Sequence, residues 1–299
     1  MKKIIVVTGG AGFIGSNLIN YLIKKTKFKI ISIDNYSTGR KENHIKSNRV
    51  KYLRSENSNI FKSLKKYKNK ISTVFHFGEF SRIFMSFKNI DKCYNSNMLG
   101  TFKVVKFCSD NDIRIIYSAS SSKFGNEGRD EHLSPYSWSK SKNIEFIKNF
   151  SHWYNLKYEI LYFYNVYGPN HIRNSEMAAV IGIFESLYKQ KKKLTVVKPG
   201  TQRRDFTHVD DIIRGCYLAF KKGRNTEYLL GTKKTYSVMQ IAKMFKTKIK
   251  LIPQRPGERL GSTNQDNKAL THLGYRAKID IKDYIKNFIS NNNGQKRKI

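Results

Sequence analysis

Two rhythms of apolar residues alternate along the chain. Short, β-branched runs stand at residues 4–7, 30–33, 73–77, 114–117 and 158–163. Runs that are almost continuously apolar suit strands covered on both faces. Between them the spacing changes. After Phe13, the residues Ile14, Leu18, Leu22 and Ile23 recur at helical intervals. After Pro135, Ile144, Ile147, Phe150, Trp153 and Tyr154 mark a second helix with a broad apolar and aromatic face. Strands alternating with helices predict an α/β fold, a doubly wound parallel sheet of the Rossmann type. Past Tyr167-Gly168-Pro169 the pattern loses regularity. Residues 1–170 are therefore expected to form the wound sheet, and residues 171–299 mainly a smaller α/β substrate-binding domain. The helical run at 214–220 and the strand-like run at 228–231 are expected to return segments near 207–232 to the first domain.

Composition narrows this picture. A chain of 299 residues suffices for one large α/β unit or two closely joined domains. No apolar run approaches the roughly 18 residues of a membrane helix. The apolar start ends at Thr8-Gly9-Gly10, too short for a secretory signal, and reads as a first strand. Cys93, Cys108 and Cys216 are widely spaced and odd in number, which fits a reducing compartment, the cytoplasm, and no disulfide framework. No Cys or His spacing fits a metal. The formal charge of +35 is mostly lysine and spread along the chain. It reads as a solvated basic surface that attracts anionic substrates. Nucleic-acid binding is the less favoured reading, because no basic and aromatic stripe is clustered. The basic end, residues 295–299, reads as a disordered tail.

The chemistry begins at Thr8-Gly-Gly-Ala-Gly-Phe-Ile-Gly15, where Gly10, Gly12 and Gly15 satisfy G-x-G-x-x-G between a strand and a helix. Such glycines allow a tight turn and close approach of a pyrophosphate to a helix N-terminus. Asp34 ends the second strand about 20 residues on. A carboxylate there accepts from ribose hydroxyls and repels a 2′-phosphate, so NAD is expected rather than NADP. Further on, Tyr136-Ser-Trp-Ser-Lys140 sets a phenol and an ammonium on one helical face. A free phenol titrates near 10. A nearby cation favours the phenolate, which brings the group toward the range where acid/base catalysis works.

These residues, with Asn35, His76 and the Asn97-x-x-Gly100-Thr101 segment, resemble the extended short-chain dehydrogenase/reductase family, in its NAD-dependent, UDP-glucose 4-epimerase-like form, from residue 1 to about 285. The resemblance implies further roles. Gly9, Phe13, Ile14 and Phe163 would join the cofactor set. Glu56 and Asn57 would sit at the adenine, Phe77, Gly78 and Glu79 would line the nicotinamide side, and Asn97, counted in the cofactor set, would order the active site. At 78–79 the family's usual Ala-Ala is replaced by Gly-Glu. Ser120, found by counting back five from Gly125, would position the sugar hydroxyl. Members that eliminate water carry an Asp-Glu pair where this chain has Ser121-Ser122. On the substrate side, Asn165 would hold the diphosphate or sugar, Arg204 and Arg255 the phosphates, and Glu258 the ribose. Tyr162 stands where the family has arginine. The segment 175–182 resembles the ADP-heptose 6-epimerase branch, but that branch's second catalytic lysine falls on Asn174.

The resemblance implies a nucleotide-sugar epimerase, in the first place a UDP-hexose 4-epimerase working through a transient 4-keto sugar, with Tyr136 as base and acid and Lys140 tuning it. Another reaction on the same scaffold is the nearest rival: 6-epimerisation, decarboxylation or net reduction. A nucleic-acid-binding protein on a retained fold is a remote one. The aromatic helix faces near 93–108 and 140–154 imply a homodimer through a four-helix contact.

Overall fold

A computed structural model of the chain describes residues 3–124, 131–258, 261 and 266–294. Gly125, used in placing Ser120, and the basic tail 295–299 lie outside the described residues. The first half runs β1 (Ile4–Thr8), α1 (Phe13–Lys25), β2 (Lys29–Asp34), β3 (Val50–Arg54), α2 (Ile60–Leu64), β4 (Ile71–His76), α3 (Ile83–Lys88), α4 (Ile90–Tyr94), α5 (Thr101–Asp110), β5 (Arg114–Ser120), α6 (Pro135–Tyr154) and β6 (Tyr158–Phe163). It continues with α7 (Val180–Lys189), β7 (Leu194–Val197), β8 (Arg203–Asp205), α8 (Val209–Lys222), β9 (Glu227–Leu230), β10 (Thr235–Ser237), α9 (Val238–Met244), β11 (Ile249–Ile252), α10 (Lys268–Leu273) and α11 (Ile281–Gly294).

Seven parallel strands form the main sheet in the order β3-β2-β1-β4-β5-β6-β9. The winding reverses between β1 and β4, and the crevice beyond the strand ends there is where such sheets take ligands. The apolar runs read as strands are buried as expected of a covered sheet: all five residues of β1 are buried. One face packs on Ile60, Val104, Phe107, Ile144 and Ile147 from α2, α5 and α6. The other packs on Leu18 and Leu22 of α1 and on Ile212 and Cys216 of α8. Thus α8 and β9 return to the sheet. Ala269 and Leu273 of α10 join the same face, carrying part of the last third of the chain back with them.

A third core lies under two small sheets, β8 with β10 and β7 with β11, and contains Phe184, Val196, Phe206, Ile241 and Ile285. The strand ends of the main sheet and this smaller unit face each other across one cleft of about 1470 Å³. That exceeds the few hundred to about 1,000 Å³ typical of a single small-molecule site, so there is room for two ligands side by side.

Candidate active site

The end of the cleft at β1 is built from main chain. Gly9 has φ +69°, and a Cβ on it would lie 2.8 Å from Gly78 Cα. A Cβ on Gly15 would lie 2.2 Å from the Gly9 carbonyl oxygen. Gly12 caps α1 without a side chain, and the first turn holds no acidic residue. The helix N-terminus therefore presents N–H groups and a positive dipole end to the cleft. These are the features a pyrophosphate requires, and the site fits a dinucleotide. Gly9, Gly12, Phe13, Ile14 and Gly15 all line the cleft.

Asp34 lies at the end of β2, buried, with its carboxylate accepting from Ala11 N at 2.9 Å and Tyr36 N at 2.8 Å. Burial raises its pKa, and those two N–H groups oppose the rise. It thereby ties the glycine turn to the strand that would carry the adenosine ribose. Asn35 donates to both oxygens of Glu56 at 3.2 and 3.1 Å. Asn57 donates to the Gly78 carbonyl. All four line the cleft.

The middle of the cleft is built from side chains. Ser134 caps α6 by accepting from Ser137 N, and Pro135 takes the first helical position, where its missing N–H costs nothing. Tyr136 and Lys140 follow one turn apart on the helical face that lines the cleft. Ser120 ends the neighbouring β5. Its Oγ accepts from Ser122 N at 3.2 Å and Ser122 Oγ at 2.9 Å. Both lone pairs are thus engaged, and the hydroxyl is set to donate. Phe77 and Phe163, at the ends of β4 and β6, meet edge to face at 5.6 Å and close the nicotinamide side.

Behind Lys140 lies a network that the sequence did not announce. Thr8 Oγ1 accepts the N–H groups of Phe77 and Gly78 at 3.1 and 3.0 Å. Its proton therefore goes to His76 Nδ1 at 2.7 Å. That direction of donation assigns the proton of the ring to Nε2, which donates to Thr101 Oγ1 at 2.8 Å. Thr101 donates to Glu79 Oε1 at 2.9 Å. Tyr117 and Asn143 also donate to Oε1, each at 3.0 Å. The other oxygen of Glu79 takes Lys140 Nζ as an ion pair, and Nζ donates again to the Ser118 carbonyl at 2.5 Å. The two side chains are 6% and 1% exposed for Lys140 and Glu79. Burial pushes His76 down to about 4, against the pull of Glu79, so the ring is neutral near pH 7. Burial and then the Glu79 charge push Tyr117 well up.

Asn97 is the one predicted cofactor residue that does not line the cleft. It is buried in a π-helical turn, Asn95–Gly100. Its side chain accepts from Phe80 N at 2.7 Å and donates to Ser139 Oγ at 3.1 Å. It pins the loop carrying Glu79 to the helix carrying Lys140.

The predicted substrate residues gather on the opposite wall. Asn165, at φ +29°, donates to the Asp205 carbonyl at 2.9 Å. Arg204 pairs with Glu258 at 3.3 Å, and the Arg255 guanidinium lies 5.3 Å from the centre of the Phe84 ring. All four residues line the cleft. Arg82 lines it too, held by the Met177 carbonyl and by the Ser81 carbonyl at 2.8 Å. Sequence reasoning missed Arg82, and it set Glu79 at the nicotinamide side without a chemical role. The signal for Glu79 was its intrusion at an alanine position. Asn174, at the lysine position of the heptose branch, accepts from Ser186 instead, at 2.5 Å. Tyr162 is buried in β6 and donates to Glu227, which also pairs with Lys148. Among the described residues no group of three His, Cys, Asp or Glu could hold a metal ion, and no helix is long and apolar enough to cross a membrane.

A dinucleotide cradle that shares one cleft with a phenol, a lysine and a serine is the working arrangement of the nicotinamide-linked short-chain dehydrogenase/reductase class. Within it, the chain belongs to the NAD dependent epimerase/dehydratase family, whose model matches residues 5–231, and its cofactor is NAD. A curated relative from Methanocaldococcus jannaschii, provisionally named a UDP-glucose 4-epimerase, is 30% identical over 97% of this chain and 99% of its own. The UDP-glucose 4-epimerase of Thermotoga maritima, crystallised with UDP-glucose, is 25% identical with a TM-score of 0.89, covering 98% and 99% of the two chains. The UDP-N-acetylglucosamine 4-epimerase of Methanobrevibacter ruminantium, in complex with UDP-N-acetylmuramic acid, is 25% identical with a TM-score of 0.87 over 100% of both chains. The chain is thus a member of a nucleotide-sugar epimerase and dehydratase family.

Proposed function

We propose that this protein is a nucleotide-sugar 4-epimerase and that its substrate is a UDP-hexose. NAD, when bound, supplies a hydride acceptor that can return what it takes. Every other step falls to the chain. Tyr136 removes the proton of the sugar 4-hydroxyl. Ser120, with its lone pairs occupied, donates to the same oxygen and holds it as it becomes a carbonyl. Lys140 orders the nicotinamide ribose. The 4-keto sugar would turn over in the cleft, the hydride would return to the opposite face of its C4, and Tyr136 gives the proton back to the 4-oxygen. Asn165, Arg204 and Arg255 hold the diphosphate, since a guanidinium fork matches phosphate oxygens, and Glu258 takes the uridine ribose.

One observation carries the choice of epimerisation over dehydration. The positions beside Ser120 are Ser121 and Ser122, both buried, and no carboxylate stands there. Glu79, the acid bound to Lys140, has both oxygens engaged by four side chains. It is not placed to shuttle a proton to a leaving hydroxyl. Arg82 favours a second reading of the sugar: a half-buried cation lining the same cleft as Tyr136 suits a uronic acid carboxylate.

Incubation with UDP-glucose, UDP-N-acetylglucosamine and UDP-glucuronic acid, followed by proton NMR of the anomeric signals, tests both. The 4-epimer of one of them is the expected product. A 4-keto-6-deoxy product, or none with NAD supplied, overturns the reading. Conversion of the uronic acid alone assigns Arg82 to its carboxylate.

We further propose a homodimer. Ile90, Tyr94, Leu99 and Phe102 near α4 and α5, with Trp153 and Tyr154 of α6, are large apolar side chains between 37% and 62% exposed. Light scattering that returns a monomer would remove this proposal. The three buried, unpaired cysteines accord with a cytoplasmic location, which we also propose.

A further inference from the structure

We propose that Glu79 is a positioning residue that acts through Lys140, cancelling its charge so that the bound nicotinamide is held preferentially in its oxidised, cationic form. The proposal requires NAD but not any particular sugar, so it stands or falls apart from the 4-epimerase reading.

The argument starts from donor arithmetic. An ammonium has three donors. Two of those on Lys140 are committed, to Glu79 and to the Ser118 carbonyl. One remains to turn toward the cleft that Lys140 lines. A lone buried ammonium would face the nicotinamide as a full positive charge. With Glu79 in contact, the cleft meets a neutral pair instead. Charge matters here because both side chains are nearly excluded from water, and charges interact more strongly in a low effective dielectric.

The two redox forms of the cofactor differ by one charge on the nicotinamide ring. A neutral pair leaves the cationic form undisturbed, whereas a lone ammonium repels it and spares the reduced form. An enzyme that must take a hydride at the start of each turnover gains from resting with oxidised cofactor. Glu79 is also over-determined in position. Thr101, Tyr117 and Asn143 fix one oxygen, and the first of these continues through His76 to the end of β1. The carboxylate is thus aimed at Lys140 by α5, β5 and α6, with β4 and β1 backing α5.

The test is a competition. The purified protein is equilibrated with equal NAD and NADH, separated from free nucleotide, and its bound pool quantified by chromatography. Glu79→Gln is expected to lower the bound NAD to NADH ratio about tenfold, an order-of-magnitude figure for one uncompensated charge near the ring. Glu79→Asp, which keeps the charge, should stay within about threefold of the unmodified protein on the same scale. Lys140→Met, which strands the carboxylate, should raise the ratio. The double variant Glu79→Gln/Lys140→Met should return it near the starting value. A purely structural Glu79 would change total occupancy and leave the ratio alone, and that result overturns the proposal. So does a double variant whose ratio equals that of Glu79→Gln, because Glu79 would then not act through Lys140. If Glu79→Gln does not fold, Lys140→Met carries the test: a higher bound NAD to NADH ratio supports the proposal and an unchanged ratio overturns it.

Discussion

The two ends of this cleft are made of different material. At the β1 end the ligand meets main chain: a turn of glycines, a helix N-terminus, and a space that any Cβ would fill. In the middle it meets side chains converging from β4, β5, α5 and α6 onto Glu79 and Lys140. A main-chain site is defined by what is missing, so its requirements are strict and local. A side-chain site is defined by partners far apart in sequence. One substitution can reset its charge without disturbing the fold around it. Gly78-Glu79 joins the two. Gly78 must lack a Cβ because Gly9 N approaches to 2.8 Å of where it would be, while Glu79 adds a charge beside the lysine.

The largest effect is expected where the chemistry itself is removed. Tyr136→Phe keeps the ring and the packing of α6 but deletes the acid/base group. Turnover of the nucleotide sugar should fall about 1,000-fold, within the range attributed to a single general acid/base. Bound NAD should be unchanged, because the glycine turn is untouched. An NMR assay beside nucleotide quantification checks both. Equal losses in turnover and NAD would mean that the two ends are not separable.

The next largest effect concerns pH and the link between the ends. His76 is fully buried, and its pKa drops from 6.5 to about 4 on folding. The folded state therefore favours the neutral ring. Its contribution to stability is complete above pH 6.5 and drains away as the pH falls toward 4. By pH 4.5 the loss should reach about 2.5 kcal/mol from this group. Urea unfolding at pH 7.5 and 4.5 reads the total change, and His76→Asn should lack this share of it. Identical pH dependence in the two proteins would refute the assignment of a neutral, buried ring.

Much of this was legible beforehand, and the illegible part has a common cause. The strands at 4–7, 30–33 and 158–163 were visible because burial on both faces forces unbroken apolar runs. The cradle was visible because Gly9, Gly12 and Gly15 stand close together in sequence. Ser120, Tyr136 and Lys140 line one cleft. The partners of Glu79 were not visible. Thr101, Tyr117, Lys140 and Asn143 lie 22 to 64 positions away from it. Nothing in local periodicity distinguishes a buried threonine that donates to a carboxylate from any other. Asn97 was placed at the cofactor for the same reason: its fixed spacing in a motif says that it matters, not what it touches. The return of α10 to the main sheet was hidden because its apolar face is only two residues, Ala269 and Leu273.

A smaller effect probes the main-chain end. Gly15→Ala puts a methyl group 2.2 Å from the Gly9 carbonyl oxygen, which is backbone and cannot swing aside. Overpacking of this kind costs about 1–3 kcal/mol. If the strain is relieved by opening the turn, NAD should bind roughly thirtyfold more weakly by the same measure. Turnover per bound NAD should stay near normal, since Tyr136 and Lys140 are not touched. Calorimetric titration of NAD with a parallel activity assay reads the split. An unaltered NAD affinity would show that the turn does not cradle the pyrophosphate.

The smallest effect comes from a departure that resembles Glu79 in sequence and differs from it in space. Tyr162 also stands where the family has another residue, an arginine, but it does not line the cleft. Its hydroxyl donates to Glu227 on the neighbouring strand β9, and Lys148 of α6 pairs with the same carboxylate. The Glu227 side chain is 22% exposed, so it keeps the lysine and some water when the phenol is lost. Tyr162→Phe should therefore cost about 1 kcal/mol of stability, the net worth of one hydrogen bond. Turnover and the bound NAD to NADH ratio should not move. If turnover fell tenfold instead, residue 162 would be coupled to the chemistry through β6 and Phe163. The distinction between a departure that packs the sheet and one that sets the charge at the lysine would then fail.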